Sequence, residues 1–354
     1  MKRALGACAV AMLAVFLFTG LAGAQAKTVT LNTCWMPEHE TYIAWKAHKE
    51  GWDKAEGIEL KLLYFESGMA QMEALPAKQW VVGATGGVPM LVGALRHGAY
   101  LIGLGDDESW GNAVMVRGDS PIAKEKGKSK KCPEALGSPA TIKGKTVLTT
   151  TVSSAHFTLS SWLACFDMKD SDVVIKNMDQ PQATTAYDSG VGDIVSLWTP
   201  FIFTGQKKGW KIAATTHDAQ AMVPLVLVAD KTFADKNPEL VAKYVKVFMK
   251  GIDFVKKEGA AKLAPEYKTF MKEWGGLDMS LEECKLDIEN HVVYTLAEQI
   301  KMFDSSKGPS YMQQKMQALA DFFVAQGKFK KEEMDKVMKS GFITDKFLKM
   351  AAGK

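Results

Sequence analysis

The run GKTVLTTTVSSAHFTLSSWLACF, residues 144–166, reads as a strand that feeds a helix. Val147–Thr149 is short and β-prone. Ala155–Phe166 then places apolar residues at helical spacing, and Ser153-Ser154 stands where an N-cap hydroxyl accepts from free backbone N–H groups. The alternation continues downstream, with a strand at Val173–Ile175, a helix at Gln182–Asp188 and a strand at Ile194–Leu197. Upstream, Val29-Thr30-Leu31 opens a strand, and Ile58, Leu60, Leu62 and Tyr64 alternate as one face of another. Trp80–Ala84 is a further apolar run. It ends in the turn Thr85-Gly86-Gly87, after which Pro89 starts a helix. Tyr100–Gly103 and Ala113–Val116 read as buried strands. Strand–helix alternation of this kind predicts an α/β fold of largely parallel sheets flanked by helices.

Two breaks organise the pattern. Residues 118–144 are rich in Gly, Ser, Pro and Lys, and the run from Lys124 to Lys131 reads as a solvated loop. After the apolar strand Val223–Ala229 the chain turns helical. Asn237-Pro238-Glu239 is a helix start, and Val241, Val245, Phe248, Ile252 and Val255 share one face. Met312, Met316, Leu319 and Phe323 repeat that spacing and read as core.

The 354 residues, 47% of them hydrophobic and 24% charged, are ordinary for a globular protein of two domains. A formal charge of +4 and the lack of a basic stripe interleaved with aromatics point away from nucleic acid. Residues 1–26 read as a secretory signal peptide: Lys2 and Arg3, an uncharged apolar centre around Val10–Phe18, then Ala22-Gly23-Ala24-Gln25-Ala26 with small-residue cleavage sites. An uncleaved anchor is the alternative. Export to the periplasm permits disulfides among Cys34, Cys132, Cys165 and Cys284, which allow three pairings. There is no C-x-x-C motif and the histidines are scattered, so neither a metal site nor a cofactor is expected. Catalytic signatures fail as well. Gly103-Leu104-Gly105 lacks the rest of a dinucleotide fingerprint, and there is no phosphate-binding loop or nucleophile elbow.

Several segments, in this order, resemble the taurine, alkanesulfonate and nitrate solute-binding proteins of ABC importers. They are Phe65-Glu66-Ser67-Gly68, Ala84-Thr85-Gly86-Gly87-Val88-Pro89, Gly144-Lys145-Thr146-Val147, Ser153-Ser154-Ala155-His156-Phe157, the stretch from Gly190 to Trp198-Thr199-Pro200, and Asp230–Glu239. The resemblance spans roughly residues 28–255. It implies a two-lobed periplasmic-binding-protein fold of type II with a helical C-terminal tail. Residues 27–116 and 223–354 would form one lobe and 117–222 the other, closing as a hinge on a small molecule. The implied partners are a membrane permease and its ATPase, with the protein itself a monomer and no enzyme. A sensor's periplasmic subunit is an alternative. So is an enzyme making the thiamine pyrimidine, although the cysteine cluster of that family is missing.

The resemblance places the solute at strand ends and helix N-termini. Candidate contacts are Trp35 and Glu38 after the first strand, Gly86 and Gly87, and Ser153, Ser154 and His156. Only Arg96 and Arg117 remain after the signal, so an anion is expected on hydroxyls, His156 and backbone N–H groups. Trp35, Trp110 and Trp198, with Asp106, Asp107 and Glu108 flanking Trp110, suggest a cage for an amine, Trp198 being the best placed of the three aromatics. The resemblance implies a sulfonate or amino sulfonate such as taurine, with a zwitterionic or cationic amine as the alternative. The acid that taurine-binding relatives carry in the strand aligned with Val223-Pro224-Leu225-Val226 is missing here. Asp107-Glu108-Ser109-Trp110 is the candidate replacement.

Overall fold

The computed structural model describes residues 28–354, so the leader expected over residues 1–26 lies outside the described residues. Ten strands follow in chain order: β1 (Val29–Trp35), β2 (Ile58–Tyr64), β3 (Val82–Gly86), β4 (Ala99–Asp107), β5 (Asn112–Val116), β6 (Thr146–Thr149), β7 (Val174–Asn177), β8 (Ile194–Trp198), β9 (Lys211–Thr215) and β10 (Pro224–Asp230). They form two five-stranded sheets, β2-β1-β3-β10-β4 and β7-β6-β8-β5-β9. In the first, β1 runs parallel to β2 and β3, and β10 is antiparallel to both its neighbours. In the second, β6 is parallel to β7 and β8, and β5 is the antiparallel strand. The two-lobed α/β architecture of periplasmic binding proteins follows.

Sequence and position agree closely at β10. PLVLVAD is buried at every residue, as an unbroken apolar run should be when neighbours pair on both edges and helices cover both faces. Its proline opens the strand, where no ladder donor is lost. At β3, the sheet closes around Gly83. A Cβ there would sit 2.4 Å from the Cys34 carbonyl oxygen, so only glycine lets the two strands pack.

β5 corrects the lobe boundary drawn at residue 116. It pairs with β8 and β9 in the second sheet, because the chain changes sheets between Asp107 and Asn112. A five-residue apolar strand carries no record of its partner. β9 had no reading in the sequence; its short run Ile212-Ala213-Ala214 is too brief for a periodic signal. The chain returns through residues 216–223. The two crossings are tied together, with Glu108 N–H donating to Val223 O at 3.1 Å, Val223 N–H to Ser109 Oγ at 3.1 Å and His217 N–H to Ser109 O at 3.0 Å.

The C-terminal helices pack on the first sheet. Helix Pro238–Glu258 buries Val241, Val245, Phe248, Ile252 and Val255. The stripe Met312, Met316, Leu319, Phe323 lies in the same core. Asn237 does not cap that helix; its side chain donates to the Phe233 carbonyl instead. The segment after β5 is only partly a solvated loop. Its lysines are exposed, but Ile122, Cys132, Ala135 and Ile142 belong to the second core. Cys132 and Cys165 are disulfide-bonded, and Cys34 and Cys284 are free and buried. No described helix is long and apolar enough to cross a membrane.

Candidate functional site

The C-terminal ends of strands from both sheets converge on a buried cavity of about 20 Å³, room for roughly one water. Six residues expected at the site line it: Glu38, Gly86, Glu108, Ser153, Ser154 and Trp198. Met36, Gly68, Pro89 and Leu225 complete the wall. Larger concavities of 340 to 530 Å³ lie elsewhere. None of them gathers strand ends and helix N-termini from both sheets, so the small cavity is the candidate site.

Two helix starts face it. Helix Ser154–Ala164 begins at Ser153, whose hydroxyl accepts from His156 N–H at 3.3 Å and donates to Thr150 O at 2.6 Å. Ser153 is therefore a working cap. Helix Gly87–Arg96 starts at Gly86 with no side-chain cap, which leaves its first N–H groups to whatever enters the cavity. The Trp198 ring comes from the end of β8 and supplies the aromatic wall from the second sheet.

Five expected residues are not among those that line the cavity. Trp35 is core: it stacks on Phe248 at 6.1 Å and donates from Nε1 to Thr33 Oγ1 at 2.6 Å. Both ring nitrogens of His156 are engaged, Nδ1 with Val152 N–H at 3.1 Å and Nε2 with Asp170 at 2.8 Å. It is a buried, satisfied histidine. Trp110 is 38% exposed and stacks on His217 at 4.6 Å. Asp107 accepts from the Ser109 N–H at 3.1 Å and hydroxyl at 2.5 Å, closing the crossing turn. Gly87 packs against Leu319 and Pro224, beside the cavity wall. Residue type alone does not say which way a strand-end side chain turns.

An acidic floor lies under the cavity, more extensive than the sequence suggested. Glu38 and Glu108 reach the wall, and Glu40, Asp106 and Asp287 are buried with them. Burial pushes Glu108 up to about 8, with the Asp106 charge adding. Burial likewise takes Asp106 up to about 7, against the pull of His291. Glu38 and Glu40 are also raised well above the carboxylate range by burial and by their acidic neighbours. His39 is driven down to about 4 by burial, so the ring whose Nδ1 lies 3.1 Å from Asp106 Oδ2 is a neutral imidazole. The signal for this floor was present as Glu38-x-Glu40 and Asp106-Asp107-Glu108, but none of its five members lies in the segments that carry the family resemblance.

A pH dependence follows. Between pH 6.5 and 8 the unfolded chain has lost the protons of these carboxyls, while the folded chain still holds those of Asp106 and Glu108. The folded state binds more protons there, so its stability falls as pH rises through that window. His39 acts oppositely, but between its folded value of about 4 and the ordinary 6.5. The melting temperature of solute-free protein should therefore drop from pH 6.5 to 8.5, and Glu108→Gln should flatten the curve. A melting temperature that rose over this range would contradict the assignment.

Residues 24–267 match the profile of the NMT1-like family. The chain is 28% identical over 277 residues to a candidate ABC transporter periplasmic binding protein of Brachyspira hyodysenteriae, covering 77% of this chain and 76% of that protein. It is 24% identical over 200 residues to the taurine-binding periplasmic protein of Escherichia coli, covering 54% and 56%. The solved structure of the alkanesulfonate-binding protein of Xanthomonas axonopodis pv. citri, bound to MOPS, superposes with a TM-score of 0.69 at 16% identity, over 88% of this chain and 98% of that one.

Proposed function

Because the chain belongs to the NMT1-like family, we propose that it is the solute-binding subunit of an ABC importer, working in the periplasm once its leader is removed. Its solute is a small molecule bearing an oxyanion, a sulfonate or an amino sulfonate such as taurine. The names carried by relatives and structural neighbours support the reading. The observation that carries it is the cavity where Gly86, Ser153 and Ser154 present two helix starts from opposite lobes. Unpaired N–H groups and the helix dipole favour an oxyanion there.

In this reading one lobe comprises residues 28–107 with 224–354, and the other residues 112–216. The crossings between them act as the hinge. A monomer closes on the solute and hands it to a permease and its ATPase. No residue is assigned a catalytic role. A thiamine-pyrimidine enzyme has no support from the described cysteines, since two are bridged and two are buried singly.

A thermal-shift screen of solute-stripped protein against sulfonates, nitrate, amino acids and betaines tests the reading. A solute at a hundred times its Kd stabilises by about 2.7 kcal/mol. At least one sulfonate should raise the melting temperature. If none did, the oxyanion assignment would fall while the fold stood.

A further inference from the structure

We propose that the C-terminal helices are a clasp that opposes opening of the cleft. They grip the second lobe on both faces of its sheet, at Phe157 on one side and at Phe203 and Lys207 on the other, while the tail itself is anchored to the first lobe. The inference is independent of which solute is bound and rests on the two lobes and the hinge proposed above.

The second sheet shows which helix lies on which face. Along β5, Val114 and Val116 share a core with Leu159 and Trp162 of helix Ser154–Ala164, whereas Ala113 and Met115 share one with Phe201 and Ile202 of helix Phe201–Lys207. Successive strand residues point to opposite faces, so the two helices flank the sheet. Each sends one phenylalanine out of its own lobe. Phe157 and Phe203 are 6% and 3% exposed, and both are buried in the core of the first lobe.

The tail meets them on either side. On helix Tyr311–Ala325, Phe322 packs edge-on against Phe157 with ring centroids 4.8 Å apart. On the other face, Lys207 lies one turn along from Phe203 and pairs with Glu283 at 2.8 Å. Leu277, just before, packs against the cores of both lobes. The tail moves with the first lobe because Val292 is paired to Asp107 where the chain leaves that lobe. Asp107 N–H donates to Val292 O at 2.9 Å, and Val292 N–H to Asp107 O at 3.2 Å. The family match ends at residue 267, before every tail residue in these contacts.

A swing about the crossings moves both helices against the tail, since neither helix belongs to a crossing. Opening therefore draws the rings toward water, and burial of a phenylalanine ring is worth about tenfold or more in such an equilibrium. The ion pair adds less, because its lysine is half-exposed. None of these side chains lines the cavity. The clasp thus acts on a solute only through the cleft, and a bound solute leaves no faster than the cleft opens.

Distance measurements on solute-stripped protein test the clasp. Spin labels at Glu73→Cys and Ser189→Cys put one exposed reporter on each lobe. The native cysteines of the described residues are bridged or buried and stay unlabelled. Phe157→Ala and Phe203→Ala should each raise the ratio of open to closed distances at least about tenfold over the labelled parent. Phe203→Leu keeps most of the apolar contact and should stay within about threefold of the parent. Lys207→Glu, at a half-exposed position, should raise the ratio about threefold. Alanine variants that melt earlier yet keep the parent's distance distribution would reveal ordinary core packing and overturn the clasp. Should those variants fail to fold, Lys207→Glu decides alone, and an unchanged distribution there overturns the clasp as well. Because no solute enters the experiment, a failed clasp and a failed sulfonate screen remain separate results.

Discussion

Serine at both Cys132 and Cys165 is expected to lower the free energy of unfolding by about 3–4 kcal/mol. The bond closes a loop with a sequence separation of 33, and most of its effect is to restrict the unfolded chain. The folded state keeps its other fastenings in this region. Ser129 Oγ donates to Cys165 O at 2.5 Å, Leu136 N–H to Ala213 O at 2.7 Å and Trp162 Nε1 to Leu136 O at 2.9 Å. The variant should therefore fold, with the segment after β5 still docked. Cys165 lies at the far end of the helix whose start reaches the cavity, so solute affinity should change little. Urea titration of parent and variant measures the difference. A loss below about 1 kcal/mol would mean that these contacts, and not the covalent link, order the segment.

Trp198→Ala should weaken solute binding by at least about tenfold, since truncating a buried aromatic wall removes more than the 1.4 kcal/mol that tenfold represents. The backbone around it is independently held. Trp198 N–H donates to Gln180 Oε1 at 3.0 Å and the residue pairs with Asn112, so the variant should keep β8 in register. His156→Ala should behave in the opposite sense. It strands the Val152 N–H and leaves Asp170 with only the Ser160 hydroxyl of its two side-chain partners, costing about 1–3 kcal/mol of stability, while affinity moves less than about threefold. Paired measurements of Kd and urea midpoint on the two variants separate wall from support. Should His156→Ala prove the more damaging to affinity, the solute must lie along the helix start and not against the indole.

Much of this was legible in the residues. The strand–helix alternation around Val147, Ile175 and Ile194 gave the α/β class, and the continuous apolar run Val223–Ala229 marked a strand. Gly86, Ser153 and Ser154 were readable because a helix start has its own chemistry. Side-chain direction was not. Trp35 and Trp198 both end strands, yet one stacks in the core and the other lines the cavity. The ring of His156 sits in the first turn of a helix and bonds to the Val152 N–H and to Asp170, a pairing that its residue type does not announce. The acidic floor was half visible. Glu38 and Glu108 could be nominated singly, but their assembly with Glu40, Asp106 and Asp287 depends on how three separate segments meet.

The place of β10 fixes an order of events during synthesis. All five strands of the second sheet lie between residues 112 and 215, so that half can complete its hydrogen-bond ladder as one contiguous stretch. The first sheet cannot. β4 joins β3 only through β10, and it waits unpaired on that side while more than a hundred intervening residues emerge. Its other edge waits longer still, for the contact of Leu101 with Ile343 near the end of the chain. The half made first is thus finished last, and a truncated chain ending before residue 224 would hold one completed ladder and one open, apolar edge.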